Sequence, residues 1–137
     1  MADLSITAGN VVGSGSDMEH GLIAGGTITA GLAVRKNTSN QIVSASDDSA
    51  ANAAVYGIAL NGASSGQRVS VQKSGNITMG ATVAVGKVYV ASTSGGIAPV
   101  DDIASAEFIT VVGVGVTADI MKIGICQSGV AAAGAVA

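Results

Sequence analysis

Chemistry at a protein site needs clustered polar side chains at set spacings, and this chain offers few of them. Its only histidine, His20, stands in Asp17-Met18-Glu19-His20. A metal-ligand or general-base reading needs partners at ligand spacing, and there is no second His and no suitable Cys. Asp17 and Glu19 could join His20, but a solvated polar turn is the simpler reading. No Ser/His/Asp arrangement follows when the one base lies in a Gly/Ser-rich arm. The pairs Asp47-Asp48 and Asp101-Asp102 raise a calcium reading, because hard cations gather carboxylates. Neither pair has the alternating Asp/Asn pattern of a calcium loop. Their return at matching places in the chain predicts caps that start the same turn or short helix twice. The glycines of the run 24–31 lack a following Lys and a strand–loop–helix setting, so Gly25, Gly26 and Gly31 read as β turns and not as a phosphate loop. The expectation is a chain with no catalytic, cofactor-binding or metal-binding residues, and therefore no enzyme.

Two further residues can be weighed singly. Ile120-Met121-Lys122-Ile123 is similar to the Met-Lys pair of biotin- and lipoyl-carrying domains, which present the Lys at an exposed hairpin tip. Here no turn residue flanks Lys122, and a partly exposed strand position is the plainer reading. Cys126 is the single cysteine, so no internal disulfide can form. It lies in an apolar run and is expected to pack as a small hydrophobe.

The elements that would carry these residues are strands. Apolar residues alternate at Val69/Val71, Val83/Val85, Val88/Val90, Val112/Val114/Val116 and Ile123/Ile125. Period two in Val/Ile-rich runs bounded by Gly, Ser and Asn is the strand signature. Breaks containing Gly recur about every 8–12 residues, which favours a sandwich or barrel over βαβ units. One short helix is expected, capped by Asp47-Asp48-Ser49 and running through Ala50, Ala51, Ala53 and Ala54.

The chain also repeats itself. Ile28-Thr29-Ala30-Gly31 followed by Val34 returns 49 residues later as Ile77-Thr78-Met79-Gly80 followed by Val83. Thr38–Ile42 returns as Thr93–Ile97 at an offset of 55, and Asp47-Asp48 as Asp101-Asp102 at 54. Gly57-Ile58-Ala59-Leu60 answers to Gly113-Val114-Gly115-Val116, and Val69-Ser70-Val71 to Ile123-Gly124-Ile125. Both halves close on Ser-Gly, at Ser74-Gly75 and Ser128-Gly129. The matches are collinear, and the offset changes mainly once, near Gly86-Lys87. They predict two copies of one β unit, residues 22–75 and 76–129, interlocked into a small single-domain all-β barrel (a β-barrel or β-tulip). Residues 1–21 read as an extended N-terminal arm with one strand at Leu4 and Ile6, then the flexible Gly13-Ser14-Gly15-Ser16. Residues 130–137 read as an uncharged Ala/Gly-rich C-terminal tail, free or added to a neighbour's sheet edge.

Composition narrows the function. Of 137 residues 11% are charged, against about 25% in a typical domain, and 2% are aromatic. The core must therefore be Val, Ile, Ala and Leu, and the surface cannot be fully polar, so a contiguous apolar patch of the kind that meets partners is expected. Net charge is −3 with six Lys plus Arg, and Arg35-Lys36 is the longest basic run, which argues against nucleic acid. The N-terminus does not read as a signal peptide, and no uninterrupted apolar stretch reaches membrane-span length. The expectation is a soluble protein made in a cytoplasm, with no membrane partner. Tyr56, Tyr89 and Phe108 are the aromatic candidates for interface anchors, or equally for core.

The segment from Val55 to Gly75, in the pattern v.GiAl..as.Gq.v.V..sG, is preceded by AG..I.aG.aV. Together with the opening Met1-Ala2-Asp3-Leu4-Ser5-Ile6-Thr7, it resembles the small capsid decoration (cement) proteins of tailed bacteriophages over most of residues 1–129. The resemblance implies a small β-barrel or β-tulip, commonly a homotrimer. It also implies a place in the virion, on the outer face of an icosahedral head, where the protein would bridge subunits of the major capsid protein. The Ala/Gly tail at residues 130–137 departs from that pattern. Residues 1–21 then become a capsid- or neighbour-contacting arm with Leu4, Ile6, Val11 and Val12 as apolar contacts, and removal of residues 1–12 is expected to leave the barrel folded. Rival readings are a receptor- or glycan-binding head or tail-fibre module, which the scarcity of aromatics disfavours, and a carrier domain modified at Lys122.

Overall fold

Alternation decides the faces of each strand. In Arg68–Gln72, Val69 and Val71 turn inward while Arg68 stays exposed. The computed structural model describes residues 3–14 and 17–132. It contains eleven strands: β1 (Val11–Gly13), β2 (Met18–Ile23), β3 (Ala33–Lys36), β4 (Ile42–Ser44), β5 (Gly57–Ala59), β6 (Arg68–Gln72), β7 (Gly75–Met79), β8 (Val88–Ala91), β9 (Ile97–Pro99), β10 (Phe108–Gly115) and β11 (Ile120–Ala131). The other regular elements among the described residues are three short 3-10 turns. The protein is a small single all-β, barrel-like domain.

The strands form two antiparallel sheets, in the orders β2-β6-β5-β3-β4 and β1-β7-β11-β10-β8-β9. Leaving β1 aside, the second order is the first with each strand replaced by its counterpart in the other half of the chain. The sequence repeat is thus a repeat of topology, but each copy builds its own sheet and the two do not share strands. Two matched stretches sit at equivalent places. Ile42 pairs with Lys36 and Ile97 pairs with Ala91, both directly after a five-residue hairpin loop. Gly57 and Gly113 both lie where a Cβ would strike the next strand, 2.5 Å from the Gln72 carbonyl oxygen and 2.4 Å from that of Lys122. Val34 and Val83 are not equivalent, because Val34 lies in β3 whereas Val83 lies in the connection before β8.

The first sheet curls until its edges meet: Ala24, just past β2, bridges Ile42 of β4, and the Gly25 amide donates to the Ile42 carbonyl at 2.7 Å. Its interior is filled by Ala24, Ile28, Val34, Ile42, Ala59, Ala63, Val69 and Val71. The opposite face, through Ala33, Ala45 and Ile58, packs on Ile77, Met79, Tyr89, Ile97, Met121 and Ile123 of the second sheet. Strands such as Ala33-Val34 and Ile58-Ala59 are therefore apolar on both faces, as expected of a sheet covered on both sides. The second sheet is buried on both faces at β8 and β9, as at Val90 and Ala98, and on one face only along β7 and β11.

The expected helix after Asp47 is a single turn. The Ala53 amide donates to the Ser49 carbonyl at 3.0 Å, and the cap is Ser49, whose Oγ accepts the Asn52 amide at 3.2 Å. The chain then turns into Val55 and β5, so no second turn can form.

Candidate functional site

The second sheet exposes the face that the first sheet leaves uncovered. Period two along β7 sends Ile77 and Met79 inward and Asn76 and Thr78 outward, and along β11 it sends Met121 and Ile123 inward and Ile120 and Lys122 outward. Cross-strand register then builds two outward rows. One runs Val12–Thr78–Ile120, with Val116 beside Ile120, its amide donating to the Ile120 carbonyl at 2.9 Å. The other runs Val88–Val114–Lys122–Asn76. Val12 is 58% exposed, Val116 42% and Val114 38%. Lys122 is the sole charge in these rows. A largely apolar surface of this kind, interrupted by Thr78 and Lys122 and bordered by Asn76, has the chemistry of a protein-docking surface. Sequence reasoning picked out Val12 and Lys122 separately but could not join them, since register is a property of the folded sheet.

The N-terminal residues are not a free arm. The Leu4 amide donates to the Ile97 carbonyl at 2.7 Å, and the Thr7 amide to the Gly80 carbonyl at 2.9 Å. Val11 is buried, and Leu4 and Ile6 are half-buried against the same core. β1 then adds an edge strand to β7, with Val11 opposite Met79, and β2 belongs to the first sheet. Of the four apolar arm residues only Val12 faces outward. The extended arm expected from the sequence is corrected accordingly: residues 3–13 cover apolar surface of the second sheet. Of the tail, Val130 to Ala132 complete β11 and its end; residues 133–137 lie outside the described residues.

The aromatics divide. Tyr89 is a core residue, 2% exposed, whose Oη accepts the Ala84 amide at 2.8 Å, so it is no anchor for a partner. Phe108 is half-buried at the start of β10. Tyr56 is half-buried on the first sheet, with Lys36 Nζ 4.5 Å and Lys73 Nζ 5.4 Å from its ring centre. Its hydroxyl donates to Glu19, and Lys73 lies 3.5 Å from the Glu19 carboxylate and 4.0 Å from Asp17. The Tyr56 hydrogen bond, aided by Lys36 and Lys73, holds the Glu19 carboxyl below its ordinary value. This cluster balances its own charge and ties β2 to β6.

The remaining sequence candidates are scattered. His20 Nδ1 lies 2.8 Å from the Ser70 hydroxyl, on the surface. Asp101 forms a surface pair with Lys87 at 3.0 Å, which pulls the Asp101 carboxyl down and pushes the Lys87 amine up. Asp47, in contrast, is only 4% exposed, and burial together with the neighbouring Glu107 carboxyl pushes its pKa up. The Thr93 hydroxyl donates to one of its oxygens at 3.2 Å. Cys126 is exposed, not packed as a hydrophobe, because β11 outruns its β7 partner beyond Ile123. Lys122 sits mid-strand, paired on both sides, away from any hairpin tip. Among the described residues no three His, Cys, Asp or Glu converge on a metal-sized point, and no helix is long and apolar enough to cross a membrane.

The fold and its surfaces define the class: an internally duplicated, barrel-like all-β domain whose second sheet is uncovered on one face along β7 and β11. No protein-family model matches the chain, and no curated protein matches it significantly.

Proposed function

We propose that this chain is a non-enzymatic structural protein of a phage virion that binds the outer surface of an icosahedral head and bridges neighbouring subunits of the major capsid protein. The observation that carries the reading is the outward strip of Val12, Ile120, Val114 and Val116 with its lone Lys122, on a chain with little charge to spare. The resemblance of residues 55–75 to capsid decoration proteins supplies the partner. Homotrimeric assembly and a virion location, after synthesis in the host cytoplasm, belong to the same proposal. By mass action, a ligand that binds only the assembled shell stabilises that shell.

The test is the copy number of this chain per major capsid protein in purified particles, measured by quantitative mass spectrometry. A ratio near one, within a factor of about two, supports surface decoration, and heads lacking the chain should then burst at lower temperature. A few copies per particle would move the protein to a fibre or tail, and its absence from particles would end the proposal.

A further inference from the structure

The two halves close differently. In the first half, the chain's own continuation after β2 supplies the amide of Gly25 to the carbonyl of Ile42. The equivalent carbonyl in the second half, Ile97, receives no bond from the continuation of β7 and takes the Leu4 amide instead, at the same 2.7 Å. At Ile97 the N-terminal segment thus makes the contact that the chain just past β2 makes at Ile42 in the first half.

The surface that receives it is shaped by three glycines. A Cβ at Gly96 would lie 2.4 Å from the Asp3 carboxylate, one at Gly31 2.7 Å from Ile6 Cγ2, and one at Gly80 2.5 Å from the Thr7 carbonyl oxygen. The Gly80 contact is with backbone and leaves no room for a side chain, whereas those at Gly96 and Gly31 are with the side-chain ends of Asp3 and Ile6. Beside the segment an open cleft of about 440 Å³ remains, lined by Leu4, Ile6, Gly31, Gly95 and Ile97 among others. Among the described residues, every backbone hydrogen bond that Asp3–Gly13 makes outside itself goes to the second sheet. The strand that follows, β2, belongs to the first sheet. The two are joined through Gly13-Ser14-Gly15-Ser16.

We propose that the groove between Gly80 and Ile97, together with the adjoining edge of β7, is an acceptor site, and that when copies of this chain associate it takes residues 3–13 of a second copy, β1 included. Exchange preserves every hydrogen bond and apolar contact of residues 3–13, which is the condition for domain swapping. A tethered segment competes at an effective concentration in the millimolar range. Exchange is therefore favoured where copies are crowded together and disfavoured in dilute solution. The inference rests on the duplicated fold and stands apart from the capsid reading.

A disulfide reads out whose segment fills the groove. In the full chain with Cys126→Ser, Asp3→Cys and Gly96→Cys bring two thiols within bonding reach, given how close a Gly96 Cβ lies to the Asp3 side chain. Oxidation at millimolar protein should give covalent dimers or larger species on a non-reducing gel, and oxidation after dilution about a hundredfold should give mainly an internal cross-link. An internal cross-link alone at every concentration, or no cross-link at all, overturns the proposal.

Discussion

Leu4 donates its amide to Ile97 at 2.7 Å, the bond that Gly25 makes to the equivalent Ile42 in the other half of the molecule. Residues at the extreme of the chain are thereby built into the core of its second half. Truncation of residues 1–12 removes buried Val11 and half-buried Leu4 and Ile6, so it should cost about 3–6 kcal/mol at ~1.5–3 kcal/mol per well-buried side chain. Urea denaturation of the truncated and full chains measures this, and equal midpoints would refute it.

Val12 separates binding from stability. It is 58% exposed and its neighbour Val11 is buried, so Val12→Asp together with Val114→Asp should leave the melting temperature within a few degrees of wild type. The same pair of charges, placed on the outward strip, should lower occupancy on heads at least tenfold. Unchanged occupancy, measured by pelleting with capsids, would remove this face from the proposed interface.

Tyr89 and Tyr56 should answer differently to loss of a hydroxyl. Tyr89→Phe leaves the Ala84 amide without its partner and should cost about 1–3 kcal/mol. Tyr56→Phe loses a bond to the surface residue Glu19 and should cost about 1 kcal/mol or less. Chemical denaturation of both variants decides it, and a larger loss at Tyr56 would contradict the burial assigned to the two rings.

Asp47 makes stability depend on pH. Its folded pKa is raised by burial and by Glu107, so the folded protein holds this proton more tightly than the unfolded chain. The stability it contributes is fully present below the ordinary carboxylate pKa of about 4 and is lost as pH rises through the raised folded value. Asp47→Asn should flatten that fall and stabilise the protein at pH 7 by about 1 kcal/mol, because the amide oxygen can still accept the Thr93 hydroxyl. Glu19 and Asp101 act with the opposite sign, their lowered values giving stability that fades on acidification. Urea titrations of wild type and variant between about pH 4 and pH 7 would show parallel curves if Asp47 were not responsible.

Gly57 and Gly113 should be equally intolerant of a methyl group. Each would drive a Cβ to about 2.5 Å from a neighbouring carbonyl oxygen, whereas a Cβ at Gly124 meets nothing within 4 Å. Alanine at either crowded position should destabilise by more than about 2 kcal/mol, and Gly124→Ala should be neutral or slightly stabilising. Thermal melts of the three variants would refute the duplication of this contact if Gly113→Ala behaved like Gly124→Ala.

Much of the architecture was legible before any coordinates. Alternating Val and Ile set the strands, because each side of a pleated strand must meet a different environment. The collinear matches announced a duplication, because equal turns need equal turn chemistry: Thr38–Ile42 and Thr93–Ile97 are five-residue matches at two equivalent hairpins. What local pattern could not carry was partnership. Ile28-Thr29-Ala30-Gly31 and Ile77-Thr78-Met79-Gly80 share apolar spacing and a left-handed glycine, yet the first makes a single bridge to Ala63 while the second lies largely within β7. Whether the copies would share a sheet, whether Leu4 would reach Ile97, and whether Val12 and Val114 would share a face all depend on register between segments far apart in the chain. Register is set by burial of the whole core, so only the tertiary structure could decide it.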